Sequence, residues 1–296
     1  MARRKKKQGG GAAGWWLLLL FFGIVLLIWW VRRPDPAPTA TAAPPPEGGT
    51  FEVRPSAGGG PIIYEGYDFT RAPGFAYPAP LPELQVVRYS GFTLAYAEPY
   101  EQAAWVAYQL TDDEVAGRVK RTDNFRADRQ VRTGSATLED YHSSGYDRGH
   151  LVPAGDMKWS RRAMEESFLL SNVSPQAPAF NRGIWNQLEQ QTRRWAERDG
   201  ALYVVTGPLL EPGLKTIGES RVAVPRYFFK VLLDARPPEL KAIAFLMPNR
   251  GSKKALSAFV VSVDEVERRA GLDLFPQLPD EIEEVLEAQP AAAGWF

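Results

Sequence analysis

Six short apolar runs rich in aromatic and β-branched residues, at 84–89, 92–96, 104–110, 202–205, 227–233 and 242–247, limit the fold more than any other feature of the sequence. Each has the length and composition of a strand. Helical signals are fewer. Ser160 caps a short helix, residues 181–198 form a long one closed by Gly200, and residues 263–270 form another that begins near Ser262. Residues 281–287 read as a final acidic helix with a solvated face. Strands and helices that do not alternate as regular βαβ units point to an α+β domain with a central antiparallel sheet.

That domain is expected over residues 62–287, followed by a C-terminal tail at 288–296. Ahead of it, residues 15–31 run for 17 positions without a charged or strongly polar side chain, long enough to cross a bilayer. Tryptophan pairs close both ends, at Trp15-Trp16 and Trp29-Trp30. The expectation is a transmembrane anchor over 15–31, with a basic cytoplasmic tail at 1–14. The chain is then a single-pass membrane protein with its folded domain outside the cytoplasm, periplasmic or extracellular. A cleaved signal peptide is the rival reading, although its apolar region usually runs about 7–15 residues. Residues 32–61 are rich in proline and glycine and read as a semi-extended linker.

Charge narrows the function. The chain is formally neutral, but residues 1–33 hold seven of the 35 basic residues and no acid, leaving the rest at net −7. A polyanionic ligand must therefore be met by a local patch and not by bulk charge. One such patch lies at 118–162, where ten Lys or Arg face six acids. With no cysteine, thiol catalysis, disulfides and thiolate zinc sites are excluded. Only two histidines are present, too few for the usual zinc hydrolase site.

One of those histidines, His150, sits in Tyr146-Asp147-Arg148-Gly149-His150-Leu151, bracketed by charge and glycine. Downstream, Asn181, Trp185, Glu189 and Arg193 recur every four residues, which on a regular helix covers one broad and mostly polar face. A polar face packed against the His150 loop needs a ligand or ion to satisfy it, whereas the same pattern on an exposed face is an ordinary Glu189–Arg193 pair one turn apart. His142, in a turn-like stretch eight residues before His150, reads as a surface residue.

Several motifs taken in order resemble the DNA/RNA non-specific endonuclease family, which includes mitochondrial endonuclease G. They are Asp147-Arg-Gly-His150-Leu, Leu170-Ser-Asn-Val-Ser-Pro-Gln176, Asn181-Arg-Gly-Ile-Trp185, Leu188-Glu189, Val205-Thr-Gly-Pro208, Val224-Pro-Arg-Tyr-Phe-Phe-Lys230 and Ala244-Phe-Leu-Met-Pro-Asn249. The resemblance spans roughly residues 84–287. It implies a ββα-metal finger set into a larger α+β domain, and a metal-dependent endonuclease that cuts DNA and RNA without sequence preference, leaving 5′-phosphate ends.

The resemblance also assigns roles. His150 corresponds to the general base and Asn181 to the one direct protein ligand of a Mg²⁺ (or Mn²⁺) ion. Arg148 and Arg121 correspond to arginines that clamp phosphate, and Asn172 falls at a polar position near the site. Glu189 lies eight residues past Asn181, about 12 Å along a regular helix, so it is placed as a catalytic carboxylate reaching the ion through bound water. Arg193, one turn on, is placed to pair with Glu189 or to touch a phosphate. Asp147 is placed as a structural tie.

The expected partners are DNA and RNA, the membrane through the N-terminal helix, and, left open, a second copy of the chain. Two other functions stay in view. One is a catalytically silent, membrane-tethered nucleic-acid receptor, which would share the salt dependence of binding without cutting. The other is a phosphodiesterase for different diesters.

Overall fold

The computed structural model describes residues 62–63, 74–236 and 239–296. The expected tail, membrane span and linker lie outside the described residues. Among the described residues twelve strands are formed. They are β1 (Ile62–Ile63), β2 (Gln85–Arg88), β3 (Thr93–Ala97), β4 (Gln102–Thr111), β5 (Asp147–His150), β6 (Val173–Gln176), β7 (Ala201–Pro208), β8 (Thr216–Ile217), β9 (Val222–Ala223), β10 (Tyr227–Asp234), β11 (Glu239–Pro248) and β12 (Val260–Val261). The main sheet runs β1-β11-β10-β7-β4-β3-β2, with β12 added against β11, and every pairing in it is antiparallel. All six apolar runs lie in its strands.

The sheet is covered on both faces, which explains why its central strands are nearly continuous in apolar residues instead of alternating with polar ones. Strand periodicity sends Phe228 and Leu232 to one core with Val106, Tyr108, Val204, Phe245 and Met247, and sends Phe229, Val231 and Leu233 to another with Trp105, Val205 and Leu246. Lys230 shares the parity of Phe228, so a lysine stands among apolar groups on the first face and is fully buried.

Among the described residues there are six α-helices: α1 (Asp112–Val115), α2 (Leu138–Tyr141), α3 (Arg161–Ser167), α4 (Asn186–Asp199), α5 (Val263–Ala270) and α6 (Asp280–Glu287). Ser160 caps α3 by accepting from the Ala163 N–H, and Ser262 caps α5 by accepting from that of Glu265. Helix α4 covers the first face through Leu188 and Trp195, whereas α5 and α6 cover the second through Val263, Val266, Ile282 and Leu286. Strands β5 and β6 form a separate two-stranded ladder pairing His150 with Val173; followed by α4, they make the ββα unit.

The long helix expected over 181–198 is broken in two. Phe180–Trp185 is a wide π-type turn and the α-helix proper starts at Asn186. Gly183 lies inside the turn at φ −105° and ψ −112°, outside the helical range, and marks the break. The π turn changes the rotation per residue, so the regular four-residue face does not survive. Trp185 turns into the first core, tilted against Phe180 and Phe228, while Asn181 and Glu189 face a cavity.

The terminal Gly294-Trp295-Phe296 is part of the fold. Trp295 is 1% exposed in the first core, edge-on to Trp195, with Lys241 Nζ over its ring. Its carbonyl accepts from Trp195 Nε1 at 2.6 Å and Arg198 Nη1 at 3.1 Å. Replacing Trp295 with alanine should lower unfolding stability by about 3–5 kcal/mol, the scale of a fully buried Trp deletion. Urea unfolding of the full chain measures it, and an effect within 0.5 kcal/mol would show that the tail docks without stabilising the domain.

Candidate active site

Strand β5 delivers the Asp147–His150 motif, and its glycine is needed for close approach: a Cβ at Gly149 would run into the Gln176 side chain on the paired strand β6. His150 then stands at the end of β5 between two aromatic rings. Phe125 is 5.1 Å from it at an interplanar angle of 51°, and Phe168 lies 4.9 Å away, edge-on at 89°. Each ring also carries a guanidinium: Arg148 sits 4.4 Å over Phe125 and Arg121 sits 4.8 Å over Phe168. Two phenylalanines thus position the imidazole and both flanking cations.

This packing sets the charge of the ring. Burial disfavours imidazolium, and the cations of Arg121 and Arg148 add to that against a weaker opposing effect of Asp123, so the His150 pKa falls to about 3. The ring is neutral at physiological pH. Its Nε2 has no hydrogen-bond partner in the protein.

Asp147 joins β5 to the π turn. Arg182 grips it with two hydrogen bonds of 2.8 and 2.6 Å, and Asn181 Nδ2 donates to it at 2.9 Å. Burial works against ionisation of Asp147, but these donors outweigh it and hold the carboxyl below its ordinary value. An ionised carboxylate only accepts, so Asn181 must show it the amide nitrogen. The amide oxygen of Asn181 is thereby left for another partner.

A cavity of about 420 Å³ brings most of the sequence candidates together. Arg121, Arg148, His150, Asn181, Glu189 and Arg193 line it, joined by Arg182 and Asn186. A neighbouring groove of about 530 Å³ shares Arg121, Arg148, Asn181 and Arg182 with it and extends to Tyr146 and the exposed His142. The local excess of arginine is what the net-acidic domain needs in order to meet an anion.

Of the remaining candidates, Asp147 lines only the groove and Asn172 lines neither. Asn172 is fully buried, accepting from the Val152 N–H at 2.9 Å and donating to the carbonyls of Val152 at 3.1 Å and Ser167 at 2.8 Å. Its amide is used up in shaping the segment after His150. Arg193 donates to Asp156 at 2.6 Å and not to Glu189, and Asp156 also accepts from Tyr108 at 2.7 Å.

Beneath the cavity floor is a group that sequence reasoning passed over. Lys230 Nζ is fully buried, lies 5.2 Å over the Trp185 ring and has no hydrogen-bond partner. Burial lowers its pKa, opposed by the negative charges of Glu189 and Asp156. Burial likewise raises that of Glu189, opposed chiefly by Lys230. The available signal was a charged residue in the middle of an otherwise apolar strand sequence, Tyr-Phe-Phe-Lys230-Val-Leu-Leu.

Comparison with known proteins shows what the chain as a whole is similar to. A family model described as DNA/RNA non-specific endonuclease matches residues 71–281. "Nuclease EXOG, mitochondrial" of Mus musculus is 39% identical over 217 residues, covering 67% of this chain and 59% of that protein. "Endonuclease G, mitochondrial" of Homo sapiens is 37% identical over 214 residues, covering 67% of this chain and 72% of that one. A solved chain from "Crystal structure of the EndoG/EndoGI complex: Mechanism of EndoG inhibition" matches with a TM-score of 0.64 at 32% identity, over 69% of this chain and 90% of that one. The match spans less than two thirds of the EXOG relatives, 59% and 60% of the Mus musculus and Danio rerio proteins.

The expected location has to be corrected. These relatives are mitochondrial nucleases by name, which does not match a periplasmic or extracellular placement. Among the described residues no helix is long and apolar enough to cross a membrane. The reading of residues 1–31 as tail and anchor rested on local hydropathy and charge, which do not show where the folded domain resides.

The buried imidazole has a measurable consequence for stability. Unfolded, His150 takes a proton near pH 6.5; folded, it resists until about pH 3. The unfolded state therefore binds more protons across that window, and the contribution present above pH 6.5 is lost as pH falls. Urea unfolding should show the chain losing about 2 kcal/mol more than its His150→Phe variant between pH 7 and pH 5. Parallel pH profiles for the two proteins would show that the ring protonates freely in the fold.

Proposed function

Because the chain belongs to the DNA/RNA non-specific endonuclease family, we propose that it is a metal-dependent endonuclease hydrolysing phosphodiester bonds of DNA and RNA without sequence preference and leaving 5′-phosphate ends. The observation that carries this reading is the convergence of a neutral imidazole, an outward amide oxygen, a carboxylate and several arginines on one cavity.

The donor set fits a hydrated Mg²⁺ or Mn²⁺. Asn181 offers one neutral oxygen, freed by the grip of its nitrogen on Asp147. Glu189 offers a carboxylate on the same wall, suited to holding an ion's water molecules, and phosphate oxygens would supply the remaining positions. When bound, the ion supplies Lewis-acid relief of the charge building on the phosphorus centre and the departing 3′ oxygen.

The chain's own groups do the rest. Arg121 and Arg148 grip the non-bridging phosphate oxygens, contacts that fix position and carry no base information. His150 removes the proton from the attacking water. Burial is the main reason the ring's pKa is near 3, and the cations of Arg121 and Arg148 add to it. A bound phosphate neutralises those cations and so raises the basicity of the ring by that smaller part. Arg193, fastened to Asp156 by one nitrogen, keeps other N–H groups for the substrate. Lys230 keeps negative charge on the half-buried Glu189 favourable.

A plasmid-nicking assay on the full chain tests the reading. Wild type should nick supercoiled DNA and degrade RNA with Mg²⁺ or Mn²⁺ and stop in EDTA. His150→Ala and Asn181→Ala should each lose on the order of a hundredfold or more in rate. A wild type that binds DNA with the usual salt dependence but never nicks it, or a His150→Ala variant at full rate, would sink the assignment.

A further inference from the structure

The two C-terminal helices carry an acidic cluster on the sheet face opposite the active-site cavity, and it has no role in the chemistry above. Asp264 and Glu267 lie three residues apart on α5 and so share one face of it. Glu287, the last residue of α6, meets them, and ligand oxygens of the three lie within 4.8 Å of one another. Oxygens bound to one Ca²⁺ at about 2.4 Å span up to the same distance.

The sequence placed residues 281–287 on a solvated face, but Glu287 is 4% exposed, and its Oε1 is buried with no hydrogen-bond partner. A carboxylate so placed needs a proton, a cationic side chain or a metal ion. No ion pair among the described residues reaches Asp264, Glu267 or Glu287. The basic residues of α5 are engaged elsewhere, Arg268 with Glu265 at 2.6 Å and Arg269 over the Tyr227 ring at 4.4 Å.

We propose that Asp264, Glu267 and Glu287 form a binding site for a Ca²⁺ ion that fastens α6 to α5. The site is structural and independent of the nuclease reading. Hard carboxylate oxygens with no nitrogen or sulfur donor suit Ca²⁺, whose shell of six to eight oxygens water completes at the exposed Asp264 side. The electrostatics agree: burial, then the charges of Glu267, Glu283, Asp264 and Asp273, push the Glu287 pKa up to about 10, and Glu267 is also raised. A divalent cation removes that repulsion.

The test uses the full chain carrying Asn181→Ala, so that the proposed active-site cation cannot contribute. After EDTA treatment, titration with CaCl₂ at pH 7 should show one Ca²⁺ per chain by calorimetry. It should also raise Tm by about 5–10 °C once calcium exceeds its Kd a hundredfold. Adding Glu287→Gln or Asp264→Asn should abolish both effects. Asp264 is exposed, so its variant keeps the test decisive if the Glu287 variant fails to fold. Absence of calcium binding in the Asn181→Ala protein would overturn the proposal, as would unchanged binding in the double variants. Glu287→Gln raising Tm with no calcium dependence would overturn it too, showing carboxyls that share a proton.

Discussion

A lysine held without a hydrogen-bond partner inside a sheet covered on both faces is the constraint around which the rest of this molecule is built. An isolated ammonium in such a place is strongly disfavoured, so negative charge must be kept near it. Glu189 and Asp156 provide that charge from the overlying layer, and each is bound into the site: Glu189 lines the cavity, and Asp156 holds both Arg193 and Tyr108. Charge balance in the core and the layout of the cavity are one network.

The same economy appears in the ββα unit. Asp147 answers Arg182 and Asn181 together, and in doing so fixes which end of the Asn181 amide faces outward. Phe125 and Phe168 desolvate the imidazole and also carry the two arginines that depress its protonation. A cavity assembled this way is electropositive and holds a neutral base in a domain whose overall charge is acidic. Local placement of a few guanidinium groups meets a phosphate where net charge does not.

The two faces of the sheet are finished differently. On the active-site face, Trp295 closes the core against Trp195, so the last residues of the chain seal the layer that supports α4. On the other face, α5 and α6 bring carboxylates together at their junction with no basic side chain to balance them. The first solution is apolar and self-sufficient, whereas the second leaves charge for something outside the chain to satisfy.

Hydropathy and β-propensity alone located six strands of the main sheet, because its central strands are buried on both faces and almost continuously apolar, so they need no partner to be recognised; the edge strand β2 was found although it carries Gln85 and Arg88. The motif around His150 and the polar residues after it marked the chemistry for the same local reason. The short strands β5 and β6 were missed, since Asp147–His150 and Val173–Gln176 are polar and carry no periodicity. The break at Gly183, which turns Trp185 inward and leaves Asn181 and Glu189 facing a cavity, was also missed. Tertiary structure alone decided that Asn172 serves the backbone, that Lys230 lies under the cavity, that Trp295 is core and that Glu287 is buried. Sequence fixes what each segment can do by itself, but the partner of a buried polar group comes from a distant part of the chain, and only packing selects it.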